Sequence, residues 1–157
     1  MNDLPTFERS GWRDAGISMR HRFWGYDCPA IDIDFILAEY ENGKVVALVE
    51  YKNEHAKPQK IEGRKQYAVL IDLCDRGNRG ELPLFSVRYK DDFSEFKITP
   101  INSGAKKIIP KRTAMTELEY VTFLYRIRGR NIPEYTKEWI LEQHQQEGGD
   151  LNKHHPA

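Results

Sequence analysis

The chain has few of the features that mark secreted or membrane-bound proteins. Its 157 residues include only two cysteines, Cys28 and Cys74, too few for a disulfide framework. No apolar run is long enough to span a bilayer, and the chain does not open with a basic segment followed by an apolar one, as a secretory signal peptide does. We therefore expect a cytoplasmic protein that does not enter a membrane.

A net charge is also lacking, because 24 Lys and Arg residues balance 24 Asp and Glu residues. No overall field then draws the protein onto nucleic acid, so a site for a polyanion must be a local patch. The length suits a single hydrophobic core. We expect one domain over residues 1–147, followed by a flexible polar tail over residues 148–157.

Two strands are predicted early in the chain, over Ile31–Tyr40 and Lys44–Lys52. Both are rich in Val, Ile, Leu and Phe, and the Asn42 and Gly43 pair between them is a strong hairpin signal. The segment Val45–Val49 is apolar without alternation. That pattern is typical of a strand that is covered on both faces of its sheet.

The rest of the chain alternates between helical and strand patterns. Thr116 followed three residues later by Glu119 is a capping box that starts one helix, and Trp139 and Ile140 are the expected anchors of the last helix. The further predicted elements are a helix over 58–76, strands over 83–89 and 93–101, a basic loop over 104–112, and helices over 116–128 and 133–148. This order predicts an α/β (α+β) fold with a central mixed sheet of about four to five strands flanked by helices.

Charged residues lie near the ends of the two early strands. Glu50 and Lys52 share one face of the second strand, and Asp32 and Asp34 share one face of the first, because side chains alternate along a strand. A three-residue connection over Glu41–Gly43, with its glycine left-handed, pairs Glu50 with Asp34 and Lys52 with Asp32. A strict two-residue turn puts the aspartates on the other face. We therefore predict a bulged or three-residue connection.

Two carboxylates that face each other across neighbouring strands repel, and a divalent cation would neutralise them. Mg²⁺ or Mn²⁺ takes oxygen ligands of this kind, binds phosphate oxygens and lowers the pKa of a bound water. Lys52 is placed to orient or deprotonate that water, or to offset charge on the phosphate. In the competing interpretation the aspartates face solvent, and Glu50 and Lys52 are an ordinary charge pair at a strand end.

The segment Ile31–Arg76 resembles the PD-(D/E)XK nuclease superfamily. The resemblance lies in an aspartate, Asp34, followed across a hairpin by Glu50-x-Lys52 and then by a helix. The resemblance implies a restriction-endonuclease-like or Holliday-junction-resolvase-like core. It also implies that Asp34 and Glu50 are metal ligands and that Lys52 is the catalytic lysine. The backbone carbonyl of Tyr51 would be a further ligand.

Two other acids are candidates for the same site. Members of the superfamily often add an acid from a first helix, and Glu8 has that place here. Asp32 rivals Asp34 as the aspartate ligand. We prefer Asp34 because the apolar segment Phe35–Leu37 matches the residues that follow the aspartate in the superfamily.

Phosphate contacts are expected from basic residues near the motif, since such contacts come from loops and helix ends. In similar proteins the helix after the motif borders the site. Its basic residues Lys60, Arg64 and Lys65 are therefore the favoured phosphate contacts. The candidates are Lys60, Arg64, Lys65, Arg20, Arg22, Lys106 and Lys107. The whole pattern predicts a Mg²⁺- or Mn²⁺-dependent nuclease that hydrolyses phosphodiester bonds in DNA, and the small size of the chain makes a homodimer plausible. The alternative is a non-catalytic module of the same fold that binds nucleic acid or protein.

Overall fold

The structure is a computed structural model that describes residues 20, 33–57, 65–77 and 82–150. These ranges hold five strands and four helices. The elements are β1 (Phe35–Glu39), β2 (Lys44–Asn53), α1 (Lys65–Gly77), β3 (Leu84–Tyr89), β4 (Phe96–Pro100), α2 (Ser103–Ile108), β5 (Thr113–Met115), α3 (Glu117–Ile127) and α4 (Glu134–Asp150). The predicted α/β class is confirmed.

The five strands form one mixed sheet in the order β1-β2-β3-β4-β5. Only β2 and β3 pair in parallel among these neighbours, and the other three pairings are antiparallel. A parallel pair needs a long crossover connection, and here α1 lies within it. The predicted mixed sheet flanked by helices is therefore confirmed.

Each face of the sheet has its own hydrophobic core, as the apolar run in β2 predicted. Leu48 packs on one face with α1, through Tyr67, Leu70 and Cys74. On the other face the buried residues come from the sheet, α2 and α3. They are Ala47, Val49, Phe85, Val87, Phe96, Ile98, Ala105, Ile109, Tyr120 and Phe123. Burial on both faces explains the apolar residues Ala47–Val49, whereas Val45, near the start of the strand, is 47% exposed.

The β1–β2 hairpin combines a longer loop than predicted with a bulge. A short 3₁₀ turn, Tyr40–Asn42, is followed by Gly43 at φ +59°, so the connection has four residues rather than three. The left-handed glycine was predicted. Past the turn, Glu39 pairs with Lys44, but a bulge at Val46 shifts the register, so that Phe35 pairs with Val49. Continued by one residue, this register sets Asp34 opposite Glu50, as predicted.

The predicted basic loop over 104–112 is wrong. Its first part is helix α2, and β5 follows it. The helix begins there because Asn102 is its N-cap: Oδ1 accepts hydrogen bonds from the N–H groups of Ala105 and Leu84, and the side-chain amide donates to the carbonyl of Leu82. The preceding strand starts at Phe96 rather than at Phe93, because Phe93 lies in the turn at φ +57°.

The two C-terminal helices start where they were predicted. The capping box at Thr116 is present, with Glu119 returning a hydrogen bond to the Thr116 N–H. In α4, Ile140 is buried, but Trp139 is 51% exposed and is not an anchor. Helix α4 ends at Asp150, so the first residues of the predicted tail are helical. Within the described ranges, no helix has the length and apolar character to cross a membrane.

Candidate metal centre

Asp34 and Glu50 are held together by two hydrogen bonds that run in opposite directions between β1 and β2. The backbone N–H of Asp34 donates to Oε1 of Glu50 at 3.2 Å, and the backbone N–H of Tyr51 donates to Oδ2 of Asp34 at 2.9 Å. Phe35 and Tyr51, the next residues on each strand, meet on the opposite face with ring centroids 5.2 Å apart. This alternation is what places both carboxylates on one side of the hairpin.

The two carboxylates differ in their surroundings. Asp34 is exposed, whereas Glu50 is only 2% exposed. Burial raises the pKa of Glu50 above its ordinary value, and the charge of Asp34 raises it further, while the Asp34 N–H and the charge of Lys52 lower it. An ionised carboxylate at this position is therefore unfavourable unless a cation compensates it.

Few protein groups compensate Glu50. Among the described residues, its carboxylate accepts one hydrogen bond, from Asp34, and no ion pair joins it to Lys52 or another basic side chain. An ionised carboxylate has about four lone-pair positions. Glu50 and Asp34 thus offer oxygen atoms of the type that Mg²⁺ and Mn²⁺ prefer, at a position where a positive charge would remove the cost of burial.

Two residues of β3 lie beside the motif on the same face. Glu50 pairs with Ser86, whose hydroxyl accepts a hydrogen bond from the Tyr67 hydroxyl of α1, and Lys52 pairs with Arg88. The Arg88 guanidinium donates to the carbonyls of residues 53, 54 and 56, at 3.1, 3.2 and 2.7 Å. These bonds hold the segment that leaves β2 directly after Lys52.

A second group of potential ligands lies at the same end of β2 and β3. Glu54, His55 and Asp91 place ligand atoms within 4.8 Å of one another, and all three are exposed. His55 Nε2 lies 2.8 Å from Asp91 Oδ2, and hydrogen bonds from Asn53 and His55 lower the pKa of Asp91. Exposed groups of this kind are common without a metal, so this cluster does not by itself define a site.

The structure brings together Asp34, Glu50, Tyr51 and Lys52. Asp32 and Glu8, the two other candidate acids, lie outside the described residues, so the choice between Asp32 and Asp34 stays a prediction. Arg22, Lys60 and Arg64 also lie outside the described residues, as does the side chain of Lys65.

Three predicted phosphate contacts can be located. Arg20 is exposed. Lys106 and Lys107 are exposed on α2, which packs through Ala105 on the sheet face opposite to Glu50. The structure therefore does not place the two lysines of α2 beside the carboxylates, and their contact with substrate stays a prediction.

The residues that surround the motif were not predictable from the sequence. Ser86 and Arg88 alternate with the apolar residues Phe85, Val87 and Tyr89 in β3, which shows only that they share a face with each other. Their position beside Lys52 and Glu50 depends on the parallel register of β2 and β3. Asp91 lies between the strands predicted over 83–89 and 93–101, and its contact with His55 joins residues 36 apart.

Comparisons of the chain with protein-family models, with curated proteins and with solved structures gave no match.

Proposed function

We propose that the protein is a divalent-metal-dependent nuclease that hydrolyses phosphodiester bonds in DNA, with Asp34 and Glu50 as metal ligands. One observation carries the proposal. Glu50 is buried beside a second carboxylate, its pKa is raised, and among the described residues no basic side chain pairs with it. Perturbed carboxylates of this kind cluster at functional sites, and a bound cation would remove the cost of the buried charge.

A bound Mg²⁺ or Mn²⁺ would supply charge stabilisation at the phosphate and a more acidic water. The residues of the chain have separate tasks. Asp34 and Glu50 hold the cation, and the hydrogen bonds between their strands keep the two carboxylates in place without it. The backbone carbonyl of Tyr51 would be a third oxygen ligand, as in the superfamily that the motif resembles.

Lys52 would act on the attacking water or on the phosphate. It follows Glu50 by two residues and so lies on the same face of β2, half-buried. Arg88 fixes the backbone just beyond it. Arg88 is therefore a positioning residue in this proposal, since its Nη1 atom donates to three backbone carbonyls of that segment.

The test is cleavage of supercoiled, linear, single-stranded and branched DNA with Mg²⁺ or Mn²⁺. We expect Glu50→Gln and Lys52→Met to slow cleavage at least about 100-fold, because each removes a group worth several kcal/mol in the transition state. Glu142→Gln and Lys111→Met are matched controls, because they make the same changes at exposed positions of α4 and of the segment before β5. They should cleave like the unaltered protein.

Equal cleavage by all five proteins would overturn the proposal, because it would indicate a contaminating nuclease. Absence of cleavage in every sample would favour the non-catalytic alternative. Mn²⁺ titration of the melting temperature gives an independent readout, because a ligand that binds only the native state stabilises it. The metal should stabilise the unaltered protein and the two controls but not Glu50→Gln.

A further inference from the structure

A groove on the opposite side of the sheet from Glu50 collects basic side chains at the junction of α3 and α4. It has a volume of about 470 Å³. Its lining residues are Leu118, Thr122, Arg126, Arg130, Asn131, Ile132 and Lys137. Among the described residues, the lining contains three cations and no carboxylate, in a chain whose acidic and basic residues are equal in number. Such a local excess of one sign indicates an anionic ligand.

The three cations are held differently. The Arg130 guanidinium bonds Glu39 and Glu41, at 2.8 and 2.9 Å, and Lys137 bonds Glu134 at 3.1 Å. These carboxylates lie outside the groove lining. Their bonds fix the two cations at its wall. The neighbouring carboxylates weaken the attraction of Arg130 and Lys137 for an anion. A third cation is therefore needed if the groove is to prefer an anionic ligand.

Arg126 is that cation. It is exposed, and in the described part of the chain its guanidinium makes no hydrogen bond or ion pair. A guanidinium has five N–H donors in a planar fork that matches the oxygens of a phosphate group. Arg126 therefore has its full donor capacity available to a ligand in the groove.

A second, more apolar groove of about 390 Å³ adjoins the basic one. The two share Leu118, Thr122 and Arg126, and the second is completed by β5, Phe123 and Glu119. The Glu119 carboxylate is occupied by the Thr116 N–H of the capping box. A ligand with a phosphate next to an apolar or aromatic part would fill both grooves, with Arg126 at the boundary.

We propose that this double groove binds a nucleotide unit, with its phosphate at Arg126, Arg130 and Lys137 and its base or sugar against Met115 and Leu118. The phosphate comes either from a free nucleotide or from a nucleic-acid strand. Only the second source rests on the proposed nuclease function. The groove lies across the sheet from the candidate metal centre, so it would hold a strand away from the point of cleavage.

The experiment measures binding in EDTA, so that it does not depend on the metal centre. The ligands are inorganic phosphate, thymidine monophosphate and a labelled single-stranded oligothymidylate, each titrated at several salt concentrations. The proteins are the unaltered chain, Arg126→Gln, and Arg112→Gln as the matched control. Arg112 is exposed and lies outside both grooves. Thermal melting of each variant confirms that it is folded.

We expect Arg126→Gln to weaken binding about 10-fold or more, the usual effect of losing a charged hydrogen bond. The slope of log K against log salt for the oligonucleotide should also fall by about 0.7, the value of one lost phosphate contact on a single strand. Arg112→Gln should change neither quantity. If thymidine monophosphate binds and its binding depends on Arg126, a free nucleotide is a sufficient ligand for the groove. If only the oligonucleotide binds, the ligand is a nucleic-acid strand.

Two results would overturn the inference. One is unaltered binding of every ligand by Arg126→Gln, and the other is an equal loss in Arg126→Gln and Arg112→Gln, which would indicate a general effect of charge. Both are separate from the cleavage assay. If DNA cleavage needs Glu50 and neither cleavage nor binding needs Arg126, the nuclease proposal stands and the nucleotide groove is refuted. If binding needs Arg126 but no cleavage occurs, the nucleotide groove stands and the nuclease proposal is refuted.

Discussion

The backbone N–H of Asp34 donates a hydrogen bond to Oε1 of Glu50, although Glu50 is buried and Asp34 is exposed. This bond connects the Glu50 carboxylate to the backbone at Asp34, just before β1. It holds Glu50 in a buried position, where ionisation of the carboxylate is unfavourable. Burial is the main cause of the raised pKa of Glu50, because it makes the ionised carboxylate less stable than in water. Several consequences can be measured.

Without metal, Glu50→Gln should be more stable than the unaltered protein at pH 7. The native pKa of Glu50 is raised above the ordinary 4.5, so the native state binds its proton more tightly than the unfolded chain does. Stability contributed by Glu50 is therefore lost as pH rises from about 4.5 through the raised pKa. The Glu50→Gln variant does not lose this stability, because an amide does not ionise. Its melting temperature should rise by about 2–4 °C for each kcal/mol relieved.

The difference between the two proteins should disappear below pH 4.5, where Glu50 is protonated in both states. Glu142→Gln, at an exposed position of α4, should show no gain at either pH. A Glu50→Gln protein that melts below the unaltered protein at pH 7 would mean that ionised Glu50 is already compensated.

Gly43→Ala should destabilise the hairpin by about 1 kcal/mol, because a side chain at φ +59° is strained. No atom lies within 4 Å of the added Cβ, so the cost comes from the backbone and not from a clash. Gly43→Asn should cost less, since asparagine tolerates this conformation. Urea unfolding of the three proteins measures the difference, and equal losses for Ala and Asn would contradict it.

Leu70→Ala should cost about 2–5 kcal/mol, the range for deleting a fully buried leucine. Leu73 lies three residues further along α1 and is 45% exposed, so Leu73→Ala should stay within about 0.5 kcal/mol of the unaltered protein. Chemical denaturation gives both values. Similar costs at the two positions would mean that α1 packs with a different face than the one described.

Glu39→Gln should lower the melting temperature at pH 7. Glu39 is buried at the end of β1 and bonds Arg130 and Arg128, and these hydrogen bonds lower its pKa. The stability contributed by its charge is present above the ordinary pKa of 4.5 and is lost as pH falls through the lowered value. The deficit of the variant should therefore shrink in acid. Glu41→Gln, at an exposed position, should show a smaller deficit.

Much of the candidate site was predictable, because it depends on a local hairpin. The Asn42 and Gly43 signal gave the turn, and the need to bring two carboxylates to one face gave the register. The position of the bulge was not predictable. Val46 lies within a run that is apolar on both faces, so no alternation marks where an extra residue enters.

Elements that depend on distant contacts were missed. Asn102 caps α2 through the N–H of Ala105, and the same side chain is held in place by the N–H of Leu84 and the carbonyl of Leu82, 18 and 20 residues away. A pattern of a few residues does not contain this information. Trp139 and Ile140 were expected to anchor α4 together, but neighbouring residues on a helix point in different directions, and only Ile140 faces inward.

The parallel pairing of β2 with β3 bears on the order in which the protein folds. Asp34 and Glu50 are 16 residues apart and meet in a hairpin, which closes in microseconds. The parallel pair waits for the longer crossover that contains α1, because distant contacts carry a larger loop-closure entropy. The hairpin carboxylates would therefore first meet in water, and Glu50 would lose its hydration later, when the rest of the fold packs on β2. A divalent cation should then accelerate that packing step, and stopped-flow refolding with and without Mn²⁺ would measure that acceleration.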